Sequence, residues 1–527
     1  MPDTAALSSP RDHALVSADG RLGAAPRSSR ADLSRILALA RSAAPERGLV
    51  VHMHGGLVSR DYALEQIVKP LSQHYRQAGA YPLFMVWESG LAETLLNNRQ
   101  ELIKDPAFRE LVKKVAEWSL RKVSVTGEVV YRGTGDTRIG SVQEFRRAFD
   151  AFFDEQRSTP PCDVADEVAH SDELSTRAGT LSQYTLAQQI AAGLDTDRAF
   201  KQAMAQAYNA AISPSEVQTK GAGDRQASPH HLLDPEALDA MFPPAFDTPS
   251  ESEGEIKTRG VLSWLSVARY VAGIVIAVVK RYGAGTEHGL YCTVVEEVLR
   301  SAFASSLGTA VWNAMKQDTL DAFGDDPEAC GRLLIAALKQ GQDHGQGFSR
   351  LTLVGHSTGA IYISHFLDEM RRQGLDMPVQ VAFLAPAITC DLFAQTIERH
   401  GSDRLQRFRL FAMSDERECA DRLFNPLYLR SLLYFVSGLL EGRAGEGTWA
   451  PVVGMPLVGM QRFFTQQRFL DCPSVRTVHR FLHDVPDRLV WSHAADRAPG
   501  FNSDASKHGD FDNDPSTLAS LKAFIQG

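Results

Sequence analysis

One decapeptide, Leu351-Thr352-Leu353-Val354-Gly355-His356-Ser357-Thr358-Gly359-Ala360, constrains this chain more than any other stretch. It starts as a short apolar run and passes through Gly-x-Ser-x-Gly. It then continues into Ile361, Ile363, Phe366, Leu367 and Met370 at helical spacing. A strand that turns directly into a helix holds the middle residue of the turn on a strained, exposed corner. Glycines flank that corner because the helix and a neighbouring strand press in where side chains would stand. A serine presented this way, Ser357, is placed to act as a nucleophile. The helix that follows aims main-chain N–H groups at negative charge developing beside it. A plain Gly/Ser turn is the bland alternative, and the strand and amphipathic helix on either side argue against it.

The rest of the chain supplies a sheet for this strand to join. Leu49 to Met53 is a short apolar run ending in His54-Gly55-Gly56, and Tyr81 to Trp87 is a second one behind a helical stretch, a β-α-β pattern. After the strand Leu351 to Val354, further strands are expected at Val379 to Leu384, Phe408 to Met413 and Arg488 to Trp491. Strands alternating with helices predict an α/β fold, a mostly parallel sheet with helices on both faces.

Residues 48–87 and 346–527 are thus expected to form one core, preceded by an N-terminal extension over 1–47. The stretch 88–345 is far longer than an ordinary connection and must be an insertion with structure of its own. Leu91 to Lys122 is helical in pattern, Val123 to Arg132 alternates around Thr126-Gly127 like a hairpin, and Val261 to Lys339 is again helical. Ser158 to Glu255 is richer in Ser, Asp, Glu and Pro, with a helical patch from Leu181 to Ala211, and part of it is expected to be mobile. A second insertion, 425–472, carries apolar runs such as Leu432-Leu433-Tyr434-Phe435-Val436 that suit a cap over a pocket.

Composition narrows the function classes. A hydrophobic share of 44% and a charged share of 23% belong to a chain able to bury a large core, so global disorder is excluded. The net charge of -9 removes the electrostatic basis for binding nucleic acid. Six cysteines without CxxC spacing indicate neither a disulfide framework nor a zinc knuckle, and with no visible secretory leader a reducing cytoplasm fits best. The run Tyr270 to Val279, bracketed by Arg269 and Lys280, is about half of the ~20 residues a membrane span requires. Peripheral membrane contact stays open.

Strand, Gly-x-Ser-x-Gly and helix together resemble the serine enzymes of the α/β-hydrolase superfamily, of lipase and esterase type, over about Gly48 to Trp87 and Ser349 to Ile525. The resemblance implies a nucleophile, an acid and a histidine in that chain order, each beyond a successive strand. It makes His54-Gly55-Gly56-Leu57 the oxyanion loop. The main-chain N–H of Gly56 or Leu57 would act with that of Thr358, and His54 would orient the loop. It places the acid at Asp415, where the strand Phe408 to Met413 ends, with Glu416 and Asp421 in reserve. It places the base at His508, on a loop before the terminal helix Pro515 to Ile525, rather than at His493 on the strand end. His356 and the pair His230-His231 are read as structural or solvated. Metal binding by His52 and His54 is the rival reading of the first loop, but no carboxylate-rich partner motif follows.

The expected reaction is hydrolysis of a carboxylic ester of a small molecule or a lipid through an acyl-enzyme, with no metal or organic cofactor. The same triad serves peptidases, amidases and thioesterases, and a non-catalytic interaction protein on a hydrolase core is the alternative from another class.

Overall fold

Strand residues in this chain alternate between two separate cores, and that alternation explains the layering. In the strand Leu49–Met53, Leu49, Val51 and Met53 face one buried cluster while Val50 faces another. Val381 and Phe383 divide from Ala382 and Leu384 in the same way. A sheet buried on both faces follows. The computed structural model describes residues 9–56, 58–87, 101–124, 131–132, 138–139, 142–157, 159–162, 171–212, 232–243, 256–303, 309–441 and 454–527.

In chain order the strands are β1 (Ala14–Ser17), β2 (Leu49–Met53), β3 (Tyr81–Trp87), β4 (Tyr131–Arg132), β5 (Arg138–Ile139), β6 (Leu351–His356), β7 (Val379–Leu384), β8 (Phe408–Met413) and β9 (Leu489–Ser492). Seven of them form one parallel sheet in the order β1-β3-β2-β6-β7-β8-β9, while β4 and β5 make a separate antiparallel pair. The register sets Met53 beside Gly355 across β2 and β6, and His356 beside Leu384 across β6 and β7. The turn after β6 therefore emerges mid-sheet at the carboxyl ends of the strands, where open α/β sheets place their sites.

One face is covered by the helices Arg30–Ser42, Cys330–Asp343, Gly359–Gln373, Cys390–His400 and Pro473–His483. The other carries the helical segment from Ala63 to Gln77 and the terminal helix Pro515–Gln526. Local chemistry fixes the helix ends. Ser29 and Asp32 form a reciprocal cap, Asp514 caps the terminal helix before Pro515, and Gly374 closes Gly359–Gln373 at φ 66°.

One expectation needs correction. The segment 1–47 is not merely an extension: β1 pairs with β3, and Arg30–Ser42 packs on the sheet. Of the hairpin expected over Val123 to Arg132, residues 125–130 lie outside the described residues. Val123 ends the helix Pro106–Val123, and the paired strands are Tyr131–Arg132 and Arg138–Ile139.

The long insertion is mainly helical where described, and the helix Ile256–Ala284 packs against Pro106–Val123, Ser171–Thr180 and Gln183–Leu194. The patch expected from Leu181 to Ala211 is two helices, because the Asp197 carboxylate accepts the Phe200 N–H at 3.2 Å and starts the second. In the run Tyr270 to Val279, Val271, Ala272, Ile274, Val275, Val278 and Val279 are buried in the main core. The apolar stretch thus packs the insertion inward. Among the described residues no helix is long and apolar enough to cross a membrane.

A buried ionic cluster fastens the insertion to the segment after β8. Glu296 is fully buried and pairs with Arg281 at 2.5 Å and with His288 at 2.7 Å, and it also accepts the hydroxyl of Tyr428. Burial pushes the Glu296 carboxyl up, but Arg281 and His288 outweigh it and hold it well below its ordinary value.

Candidate active site

Ser357 sits at the tip of β6 with φ 54°, a left-handed conformation that a non-glycine residue adopts only under constraint. The constraint is visible. Its N–H donates to Leu384 O at 2.9 Å, and its carbonyl accepts from Ala387 and Ala360 at 3.0 and 3.2 Å. A side chain at Gly359 would strike Met53 O at 2.2 Å, so the helix Gly359–Gln373 reaches β2 only because that residue is glycine. Its N-terminus is thereby brought to the serine.

The loop after β2 lies against this turn. A Cβ on Gly55 would stand 3.2 Å from Ser357 Cβ, and one on Gly56 would collide with Met315 Sδ and come within 3.1 Å of Thr358 Oγ1. His54 holds the loop by both ring nitrogens. Nδ1 donates to Gly55 O at 2.6 Å, Nε2 accepts the Trp87 N–H at 3.2 Å, and the ring stacks on Trp87 at 4.3 Å. Burial drives its pKa down to about 4, which suits a neutral imidazole in that one tautomer. His52 meets the Tyr75 hydroxyl at 2.7 Å, and no cluster able to hold a metal ion occurs among the described residues. Gly56 and Thr358 are thus gathered beside Ser357, whereas Leu57 lies outside the described residues.

His508 is 8% exposed, and neither ring nitrogen has a hydrogen-bond partner among the described residues. Burial first, and then the neighbouring His356, lower its pKa to about 3. The ring is therefore an uncharged base with free lone-pair capacity. It lines a cavity of about 470 Å³ together with Ser357, Gly55, Gly56 and Asp421, a volume within the range of small-molecule pockets. His493 lies apart, half-exposed and paired with Asp504 at 2.7 Å.

The acidic segment after β8 resolves into two carboxylates with different tasks. Asp415 opens the short helix Asp415–Ala420, accepts the Tyr434 hydroxyl at 2.6 Å and is faced by Arg462. It is tied to the second insertion and does not line the cavity. Asp421, one residue beyond that helix, lines the cavity, and its Oδ2 accepts the main-chain N–H of His508 at 2.9 Å. Its pKa is raised by burial, partly offset by that N–H. Glu416 makes no contact with the cavity, and Glu418, fully buried, bonds to Ser431.

The His508 loop is clamped from several sides. Arg417 donates to Asp504 O and Ala505 O at 2.8 Å each, and Asp510 accepts the N–H groups of Ser506 and Lys507 at 3.0 and 2.9 Å. Sequence reasoning assigned no site role to Asp512, Met315 or Arg417. Only the density of charge around His508 hinted that this loop is bonded to itself and to its surroundings.

No family model, curated protein or solved structure gives a significant match to this chain.

Proposed function

We propose that this chain is a serine hydrolase with an α/β-hydrolase core, cleaving carboxylic esters through Ser357, His508 and Asp421. The observation that carries the reading is the pairing, on one cavity wall, of a strained serine with a buried imidazole that has no partner among the described residues. An unbonded buried ring nitrogen is a standing cost, of order 1–3 kcal/mol for each polar group, that folding alone does not repay. The Ser357 hydroxyl proton, transferred during the reaction, offers the missing partner.

In the proposed cycle His508 accepts the proton of Ser357 Oγ as that oxygen attacks the ester carbonyl carbon. The carbonyl oxygen takes the negative charge and is met by the N–H of Thr358 at the head of the helix Gly359–Gln373 and by that of Gly56 on the loop after β2. His508 then protonates the departing alcohol, leaving an acyl group on Ser357. Water enters and gives its proton to His508 as its oxygen attacks the acyl carbon, and His508 passes that proton to Ser357 Oγ as the acid is released. Asp421 stabilises the imidazolium formed on the way, and its bond to the His508 N–H already holds it at the root of that side chain. Contacts between base and nucleophile that are open in an empty site commonly tighten when substrate binds. The scheme calls on no metal or organic cofactor.

Val58, Ile67, Leu423 and Leu432 give the cavity an apolar side, while Arg422 and Lys507 stand on its charged side. An ester of modest size with an apolar acyl group fits this better than a long lipid chain, since Tyr270 to Val279 is consumed by internal packing. The test is a series of p-nitrophenyl esters of rising acyl length, with thioester and anilide controls, against wild type, Ser357→Ala and His508→Ala. Expected are turnover of short and medium esters and a loss on the order of 10⁴-fold or more in either variant. Wild-type rates no higher than those of Ser357→Ala would overturn the reading.

A further inference from the structure

The nucleophile turn carries a histidine that the proposed cycle leaves unused. His356 is 6% exposed, and its Nε2 donates to the main-chain oxygen of His508 at 3.0 Å. Its Nδ1 lies 3.4 Å from Asp512 Oδ2, and its ring stacks on the His508 ring with centroids 5.3 Å apart and planes 26° apart. The Asp512 side chain is 11% exposed. One histidine therefore touches the base loop by a hydrogen bond and by its ring face, and it brings Nδ1 to the Asp512 carboxylate, from the position next to Ser357.

We propose that His356 and Asp512 form a positioning pair that locks the His508 loop to the nucleophile turn and fixes the orientation of the His508 imidazole. The inference rests on the proposed hydrolase chemistry for its kinetic consequence, but the lock itself is a matter of geometry. An imidazolium at His356 has an N–H for each partner, one to the His508 carbonyl and one to the Asp512 carboxylate, whereas a neutral ring has only one. The groups facing the pair are His508, His52, His54 and, behind Asp512, Tyr75. Asp512 is the acidic partner that favours charge on His356. Burial pulls the His356 pKa down, but Asp512 and the His508 carbonyl outweigh it and leave it raised. A cation stacked beside His508 opposes a second charge there and lowers the pH at which the resting ring takes up a proton from solvent.

The experiment compares His356→Leu, which removes donor and charge, with His356→Gln, which keeps an N–H but no charge, and with Asp512→Asn. For p-nitrophenyl butyrate, His356→Leu is expected to lower kcat about tenfold to a hundredfold with KM within about threefold, the signature of a misplaced base. His356→Gln is expected to recover most of kcat, while the acid limb of its kcat/KM profile moves upward by about one pH unit, and Asp512→Asn should shift the limb the same way. Amide exchange over residues 506–511 should quicken in His356→Leu. Ring-nitrogen NMR should show His356 in wild type still cationic at pH 6.5 and neutral there in Asp512→Asn. A folded His356→Leu with unchanged kcat, pH profile and loop exchange would overturn the proposal. If that variant does not fold, His356→Gln and Asp512→Asn decide, since unshifted acid limbs in both contradict it. A wild type that hydrolyses no ester would remove the hydrolase reading instead, and loop exchange and ring NMR would still judge the pair.

Discussion

His288 in the long insertion and His508 on the cavity wall are both buried, and burial lowers both pKa values, to about 4 and about 3. Their surroundings differ in kind. His288 is bonded to Glu296, which also holds Arg281 and Tyr428, so its ring is taken up by a cluster that ties helices together. The ring of His508 is bonded to nothing among the described residues, although its loop is clamped by Arg417, Asp421, Asp510 and His356. A rigid frame around an unsatisfied ring is the arrangement expected of a group kept for a ligand, and a ring satisfied within the fold is that of a joint.

The sharpest way to strain this contrast is to exchange the two carboxylates after β8. Asp421→Asn is expected to lower kcat by about 10³- to 10⁴-fold for short esters, while Asp415→Asn stays within about threefold and lowers Tm, because its partner is the Tyr434 hydroxyl. The reverse order in steady-state kinetics would return the acid to Asp415. Next in size, Glu296→Ala leaves the buried Arg281 with Glu297 and the Thr286 carbonyl and leaves His288 and Tyr428 without their acceptor. It should lose about 3–5 kcal/mol in urea unfolding yet keep the wild-type kcat at temperatures where it is folded. Unchanged stability would show that the cluster is no joint.

The smallest effect concerns pH. The folded-state pKa of His508 lies below its unfolded value of about 6.5, so the unfolded chain takes up the proton first as pH falls. Stability is then full above pH 6.5 and is lost progressively toward pH 3, by up to about 2 kcal/mol at pH 5 for a group this buried. His508→Leu should therefore lose about 2 kcal/mol less than wild type between pH 7.5 and 5 in matched denaturant melts. Equal losses would mean that the ring is not held neutral.

Much of this was legible from residues alone because the decisive element is contiguous. Strand, turn and helix from Leu351 to Met370 lie in one stretch, and β2, β3, β7, β8 and β9 fall within a residue or two of the expected runs. Contacts that close over long distances were not legible. Tyr434, from the second insertion, takes up the Asp415 carboxylate, and the helix Asp415–Ala420 carries the chain on before Asp421 meets the His508 loop. A strand-end argument selects the first acid and cannot see its captor. β1 escaped notice because four residues, Ala-Leu-Val-Ser, show no resolvable period. His356 and Asp512 each look ordinary until the fold joins them.

The central claim is that Ser357 is a nucleophile activated by His508, and the most direct measurement is covalent. A fluorophosphonate probe should label wild type at pH 7.5, with the adduct mapping by peptide mass spectrometry to Ser357, and labelling should vanish in Ser357→Ala and fall steeply in His508→Ala. A wild type that stays unlabelled, or an adduct on another residue, would contradict the account.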